Sequence, residues 1–262
     1  MQERNPAIDS YLRSGMHSVA GYMKSVDAKI IASILAFQHD QHIAGNLCEI
    51  GVHHGRLFLL LALARNGEER AVGIDLFEDD DLNASSQHHR GRNRALAINA
   101  RRFGIPFREE EIVKNSSLDI VAEDIMKHTG GPIRLFSVDG GHDYRCVEND
   151  LLLAKQTISH KGVIAVDDFF NPEWPEVTLA TCDFLRGTDE LIPFLISPGK
   201  LYLTTQSMAA SYQQVARNTY KDLQSNDVQF LRWNVCFMRD SNLRRIVDHF
   251  ADMSGRWIRR QK

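Results

Sequence analysis

The sequence predicts an α/β fold, with a mostly parallel sheet covered by helices on both faces. Three observations carry this expectation. Short apolar runs of strand length alternate with longer helical patterns. Those runs are apolar throughout, as in strands buried on both faces. Several of them end in carboxylates: Asp75 after AVGI, Asp139 after LFSV, and Asp167-Asp168 after VIAV. In open sheets of this kind, ligands bind outside the carboxyl ends of the strands.

The elements follow in order. Residues 1–45 carry helical patterns and no strand signal. Within them Asp27 to Phe37 places Ile30, Ile31, Ile34 and Leu35 on one face, with Asp27 as the expected N-cap. Packing beside the first strand is the simplest reading of this helix; a lid or a dimer surface is the alternative. Next comes LCEIGVHHG, a strand entering a turn with Gly51 and Gly55, followed by the apolar helix Arg56 to Arg65. Glycines there make a tight turn and let backbone approach a ligand. Two glycines four apart are not the three-glycine dinucleotide fingerprint. A second strand, Ala71 to Phe77, contains Asp75, placed to accept hydrogen bonds from ribose hydroxyls. Glu78 to His89 reads as a polar loop whose Asp79-Asp80-Asp81 lacks calcium-loop spacing, and Gln87 to Gly104 as a basic helix with a solvated arginine face.

A third strand is expected at Ile112–Lys114, then a helix capped by Ser116 or Ser117 and running to about Met126. The stretch from Ile133 to Phe170 reads as strand, polar turn, helix, Lys-Gly turn and strand. If its two strands are neighbours, about 4.8 Å apart, then Asp139, Asp167 and Asp168 gather at one point. Three carboxylates together call for a positive charge, and a divalent cation with oxygen ligands is the natural candidate. Asn171 is expected to start a helix to about Leu185, with Trp174 as either a substrate wall or a packing residue. Leu191 to Thr205 reads as a hairpin around Ser197-Pro198-Gly199-Lys200. Met208 to Leu223 reads as a helix and Phe230 to Met238 as one strand. Leu243, Ile246, Phe250, Met253 and Trp257 mark a C-terminal amphipathic helix.

Composition narrows the classes. The chain has 262 residues, 43% hydrophobic and 25% charged, with a net charge of −3. That is ordinary for a globular protein and gives no electrostatic case for nucleic acid or membrane binding. Cys48, Cys146, Cys182 and Cys236 are scattered, without a zinc or redox pair. The absence of a signal-like or membrane-length apolar run makes a cytoplasmic protein the expectation.

CEIGVHHG, the VGID that ends in Asp75, and the pair SVDGGHDY and VIAVDDF together resemble the class I S-adenosylmethionine-dependent methyltransferases over about residues 45–205. The last pair resembles the metal-dependent O-methyltransferases of the macrocin (sugar) type, and more distantly the catechol type. The resemblance implies a Rossmann-like, doubly wound, seven-stranded sheet, mostly parallel with an antiparallel last strand. It implies a core over 46–206, an N-terminal helical extension over 1–45, and helices with an extra strand over 207–262. It implies S-adenosyl-L-methionine as methyl donor, framed by Glu49, Gly51, Val52, His53 and Gly55, with Asp75 and Leu76 at the ribose, Ser116 and Ser117 at the adenine, and Asp139 beside it. Mg²⁺ or another divalent cation would be held by Asp139, Asp167 and Asp168. Some sugar enzymes of this type place a base two positions after the first metal aspartate, where this chain has Gly141. Catechol-type enzymes place a basic residue three positions after it, where this chain has His142. His142 is therefore the expected proton acceptor beside Asp139. The pairs His39/His42, His53-His54 and His88-His89 have no such placement and are read as structural.

The expected reaction is O-methylation of a hydroxyl on a sugar or small natural product. Its partner is a small-molecule or glycan acceptor and its assembly a homodimer. A cephalosporin-hydroxylase-like enzyme on the same fold and a non-catalytic cofactor-binding protein are the competing readings. No two-histidine, one-carboxylate set supports the first, and the three clustered aspartates argue against the second.

Overall fold

The computed structural model describes residues 5–77, 92–106, 108–220 and 225–239. The polar loop 78–89 with Asp79-Asp80-Asp81 and His88-His89, and the amphipathic helix expected at 243–257, lie outside the described residues. The described strands are β1 (Asn46–Ile50), β2 (Ala71–Asp75), β3 (Ile112–Lys114), β4 (Ile133–Val138), β5 (Ile158–Asp167), β6 (Ile192–Ile196), β7 (Lys200–Thr204), β8 (Ser225–Phe230) and β9 (Trp233–Met238). The helices are α1 (Pro6–Arg13), α2 (Ser25–Asp40), α3 (Arg56–Leu63), α4 (Arg92–Arg102), α5 (Ala122–Thr129), α6 (Tyr144–Thr157), α7 (Pro175–Arg186) and α8 (Ala209–Thr219).

All nine strands form one sheet in the order β3-β2-β1-β4-β5-β7-β6-β9-β8. The first five in that order are parallel, and β7 runs antiparallel between β5 and β6. The expectation of a mostly parallel sheet with an antiparallel seventh strand holds, but among the described residues the count is nine. The segment read as one strand over Phe230–Met238 turns at Leu231-Arg232, with Leu231 at φ +51°, into the antiparallel hairpin β8–β9. β9 then pairs with β6 and extends the sheet. Apolar residues on both sides of the Leu231-Arg232 turn hide it in a hydrophobic pattern.

Successive residues of the central strands alternate between two cores. Leu47, Ala71, Leu135, Val163 and Ala165 face α1, α2, α3 and α8. Cys48, Val72, Phe136, Ile164 and Val166 face α5, α6 and α7. Burial on both faces is what the uninterrupted apolar runs required.

Four local expectations change. Asp27 is not a cap: it is the third residue of α2, in the first turn and buried, and its carboxylate accepts from Ser197 Oγ and from Tyr202 Oη at 3.1 Å. Lys161-Gly162 is not a turn before β5 but lies inside it, where the pairing with β4 skips from Ile158 to Val163. Ser116 caps only a short 3₁₀ turn, Ser117–Asp119, and α5 starts separately at Ala122. Pro175, with its fixed φ, opens α7 at the first helical position, leaving Asn171–Trp174 as a turn.

Arg134 shows how β4 is anchored at the end away from Asp139. It is 0% exposed. Its guanidinium donates to both oxygens of Glu69 at 3.0 and 2.8 Å, to Gln38 Oε1 at 2.8 Å and to the Ala64 carbonyl at 2.9 Å. These bonds tie β4 to α2 and to the end of α3. Removing one partner of such a pair strands a buried charge. Glu69→Ala is expected to lower stability by about 3–5 kcal/mol in urea unfolding, and a loss below about 1 kcal/mol would show that Gln38 and the carbonyl suffice.

Candidate active site

β1, β2, β4 and β5 deliver their carboxylates to one edge. The turn after β1 is forced close to the end of β4. Gly51 has φ +87°, its N–H donates to the Ile74 carbonyl, and Asp139 N–H donates to the Ile50 carbonyl, both at 2.9 Å. A Cβ on Gly51 would lie 1.7 Å from the Asp139 carbonyl oxygen, so only glycine fits. The turn is tied to β2 by Asp75, whose carboxylate accepts from His53 N–H at 2.8 Å and Phe77 N–H at 2.7 Å. Asp75 thus organises the turn as well as closing its strand. Gly55, at φ +90°, opens α3, and a Cβ there would meet Leu96 of α4 at 2.4 Å. Val52 packs into the core, while Leu76 stays partly exposed beside Asp75. His53 and His54 pack edge to face within the turn.

Glu49 is buried in β1 with its Oε2 lacking a hydrogen-bond partner. Burial pushes its carboxyl well above the ordinary range; the Lys200 ammonium opposes this, and Asp167 and Asp75 add to it. Asp139 is pushed up likewise, by burial first and then by Asp167. Asp168 goes the other way. Burial works upward on it, but hydrogen bonds from His142 and Asn171 outweigh this and lower its pKa. Neighbouring carboxyls driven in opposite directions are an arrangement suited to acid–base work.

β4 and β5 are neighbours, with Val138 opposite Val166, so Asp139, Asp167 and Asp168 do gather. The structure nevertheless sorts them. Asp139, His142 and Asp168 offer ligand atoms all within 4.8 Å of one another. His142 Nε2 lies 3.0 Å from Asp168 Oδ2 and 4.0 Å from Asp139 Oδ1. Asp167 instead meets Lys200 Nζ at 2.6 Å. Two carboxylates and an imidazole at this spacing fit a divalent cation. The turn bearing Asp168 is strained, with Asp168 at φ +54° and Phe170 at φ +64°. Asn171 Nδ2 donates to Asp168 Oδ1 at 2.7 Å and steadies it. Trp174, 42% exposed, stacks on the His142 ring at 4.5 Å and 19°. It is neither core staple nor free surface, but the platform that holds the imidazole.

Ser116 and Ser117 stand apart from this cluster, past the end of β3. Ser116 Oγ accepts from Leu118 N–H at 3.2 Å, and the Ser117 carbonyl accepts from Asn149 at 2.8 Å. A cavity of about 260 Å³ lies beside them under α5, lined by Ile74, Val113, Asn115 and Ile120 among others. None of the acidic cluster lines it.

Lys200 and Asp150 carry no motif and escaped the sequence reading. Lys200 belonged to a hairpin turn signal. Asp150 lay among polar helix residues, yet it is buried in α6 against Gly140.

Residues 48–169 match a family described as "Methyltransferase domain". That stretch is therefore similar to a methyltransferase domain. The match spans just under half of the chain and includes Glu49, the glycine turn, Asp75 and the Asp139–Asp168 cluster. Comparison with curated proteins found no match. Among solved structures the chain is similar to the O-methyltransferase NovP, at TM-score 0.57 and 14% identity over 76% of this chain and 99% of that one. It is similar to CalS11, a TDP-rhamnose 3'-O-methyltransferase of calicheamicin biosynthesis, at 0.50 and 16% over 76% and 93%. It is also similar to an O-methyltransferase from Bacillus cereus in complex with SAH, at 0.50 and 13% over 78% and 91%. At these identities the likeness is one of fold. No helix among the described residues is long and apolar enough to cross a membrane.

Asp150 supplies a test of the packing behind the domain's β4 turn. Burial raises its pKa to about 7, opposed by the nearby Ser117 and Asn149 and aided by Asp143. The folded domain holds this proton more tightly than the unfolded chain. The resulting stability is fully present below the ordinary carboxylate range and is lost as pH rises towards about 7. Asp150→Asn is expected to stabilise the protein at pH 8 by roughly 2–4 kcal/mol and to leave it nearly unchanged at pH 4. Thermal unfolding at the two pH values measures this, and equal effects at both would sink the assignment.

Proposed function

We propose that this protein is an S-adenosylmethionine-dependent O-methyltransferase that acts, with help from a divalent cation, on a hydroxyl of a sugar or small natural product. The observation that carries this reading is the convergence of Glu49, the Gly51 turn, Asp75, Asp139, His142 and Asp168 on the carboxyl edge of a methyltransferase-domain sheet. An edge so rich in carboxylates suits a ligand with positive charge and hydroxyl donors. Bound there, the sulfonium cofactor would supply an electrophilic methyl group and the cation a charge that lowers the pKa of the acceptor hydroxyl.

The chain's own groups do the rest. The backbone of Gly51 to Gly55 and the Glu49 carboxylate would hold the methionine portion, Asp75 and Leu76 the ribose, and Ser116 and Ser117 the adenine edge. Asp139 and Asp168 would hold the cation. His142, kept in place by Asp168 and the Trp174 ring, would take the acceptor proton on its imidazole. Fixing both reactants on one rigid edge accounts for much of the expected acceleration. The sugar acceptor draws its support from the CalS11 likeness and from the motif pair around Asp139 and Asp167, and a catechol-like phenol is the second choice. Four free cysteines suit a reducing cytoplasm.

A hydroxylase reading has less support. Among the described residues, the cluster able to hold a metal contains one histidine, not two.

Titration calorimetry with S-adenosylhomocysteine should show saturable binding, and no heat from folded protein would defeat the proposal. His142→Ala is expected to lower turnover about 100-fold or more while leaving the S-adenosylhomocysteine Kd within about threefold. An unchanged rate and pH profile would remove His142 as proton acceptor.

A further inference from the structure

Lys200 is a lysine where the strand pattern calls for an apolar residue. It is the first residue of β7 and 1% exposed. Burying an ammonium costs several kcal/mol unless opposite charges surround it. Here they do. Lys200 stands directly across the antiparallel ladder from Asp167, and its Nζ is 2.6 Å from Asp167 Oδ2. Asp139 and Asp27 add to the field that holds its charge. Asp27 reaches in from α2 and is bonded to Ser197 and Tyr202 on the same hairpin.

The consequence falls on Asp167, both of whose oxygens are committed. Oδ2 meets the ammonium, and Oδ1 accepts from Asp168 N–H at 3.0 Å. Asp168, at φ +54°, depends on that second bond to keep its left-handed backbone and to aim its carboxylate at His142 and Asp139. The three groups within mutual ligand distance are accordingly Asp139, His142 and Asp168, without Asp167.

We infer that Lys200 is a positioning residue that withdraws Asp167 from cation binding and turns it into the strut of the Asp168 turn. The cation carboxylates of this chain are then Asp139 and Asp168 alone, and a permanent internal ammonium occupies the charge of the third. This rests on the metal-assisted reading above. It also gives the N-terminal helix a role, since Asp27 of α2 helps to hold the ammonium that sets the site.

The test is binding of Mn²⁺ to the full chain, without cofactor or acceptor, followed by the electron paramagnetic resonance of the free ion. Asp168→Asn is expected to weaken Mn²⁺ at least about tenfold, and Asp167→Asn to leave it within about threefold. Lys200→Met, which frees Asp167 to ligate, is expected to tighten Mn²⁺ about tenfold, and Lys200→Arg to restore wild-type affinity. The gain is expected to vanish when Asp167→Asn is added to Lys200→Met, and a gain that survives there reflects only the lost positive charge and overturns the inference. If circular dichroism shows Lys200→Met unfolded, the comparison of Asp167→Asn with Asp168→Asn still decides. Equal losses in those two variants, or a wild-type protein that binds no Mn²⁺, overturn the inference. S-adenosylhomocysteine titration of the same samples separates the failures. Cofactor binding without a Mn²⁺ site removes the metal and this inference but leaves methyl transfer standing, whereas loss of both removes the whole functional reading.

Discussion

Four carboxylates from three adjacent strands and the N-terminal helix surround one buried ammonium at the carboxyl edge of the sheet. Glu49, Asp139 and Asp167 end or adjoin β1, β4 and β5, Asp27 comes from α2, and Lys200 lies across the ladder from Asp167. Charges of one sign at this density would repel one another out of a low-dielectric edge. A single lysine in register permits the arrangement and joins the antiparallel end of the sheet to its parallel centre.

From that constraint the site divides into two halves with different tasks. On the β1–β2 side, the close approach of Gly51 to Asp139 and the bonds from Asp75 to His53 and Phe77 make a backbone surface with little freedom. On the β4–β5 side, Asp168 and Phe170 are left-handed, as His53 and Phe77 are on the other, and an imidazole stacked on an indole joins an amide in fixing one carboxylate. Rigid support under a strained turn is the pattern expected where geometry matters more than stability. A lowered and a raised carboxyl stand side by side in this half.

Much of the fold was legible because burial on both faces of a parallel sheet leaves a direct trace: VIAV, LFSV and AVGI are apolar without alternation. The hairpin of β6 and β7 was legible from Ser197-Pro198-Gly199. The β8–β9 turn was not, since Leu231 and Arg232 are not turn formers and only tertiary pairing with β6 bends the chain there. Asp27 was misread as a cap for a similar reason. Its spacing suits an N-terminus, but Ser197 and Tyr202, some 170 residues on, draw it inward.

By itself the sequence determined that the acids after β4 and β5 share one edge. Glycine turn, strand-end acids and His142 are local features, each set within a few residues of a strand whose direction and burial follow from composition. Which acid does what was decided only by the tertiary structure. Asp167 and Asp168 are adjacent and chemically identical in the chain, yet the strand ends at Asp167 and the left-handed turn at Asp168 points them to different neighbours: one to the ammonium of a strand 33 residues away, the other to an imidazole held by Trp174. Charge partners distant in sequence leave no periodic signal, so their pairing is settled by the folded sheet alone.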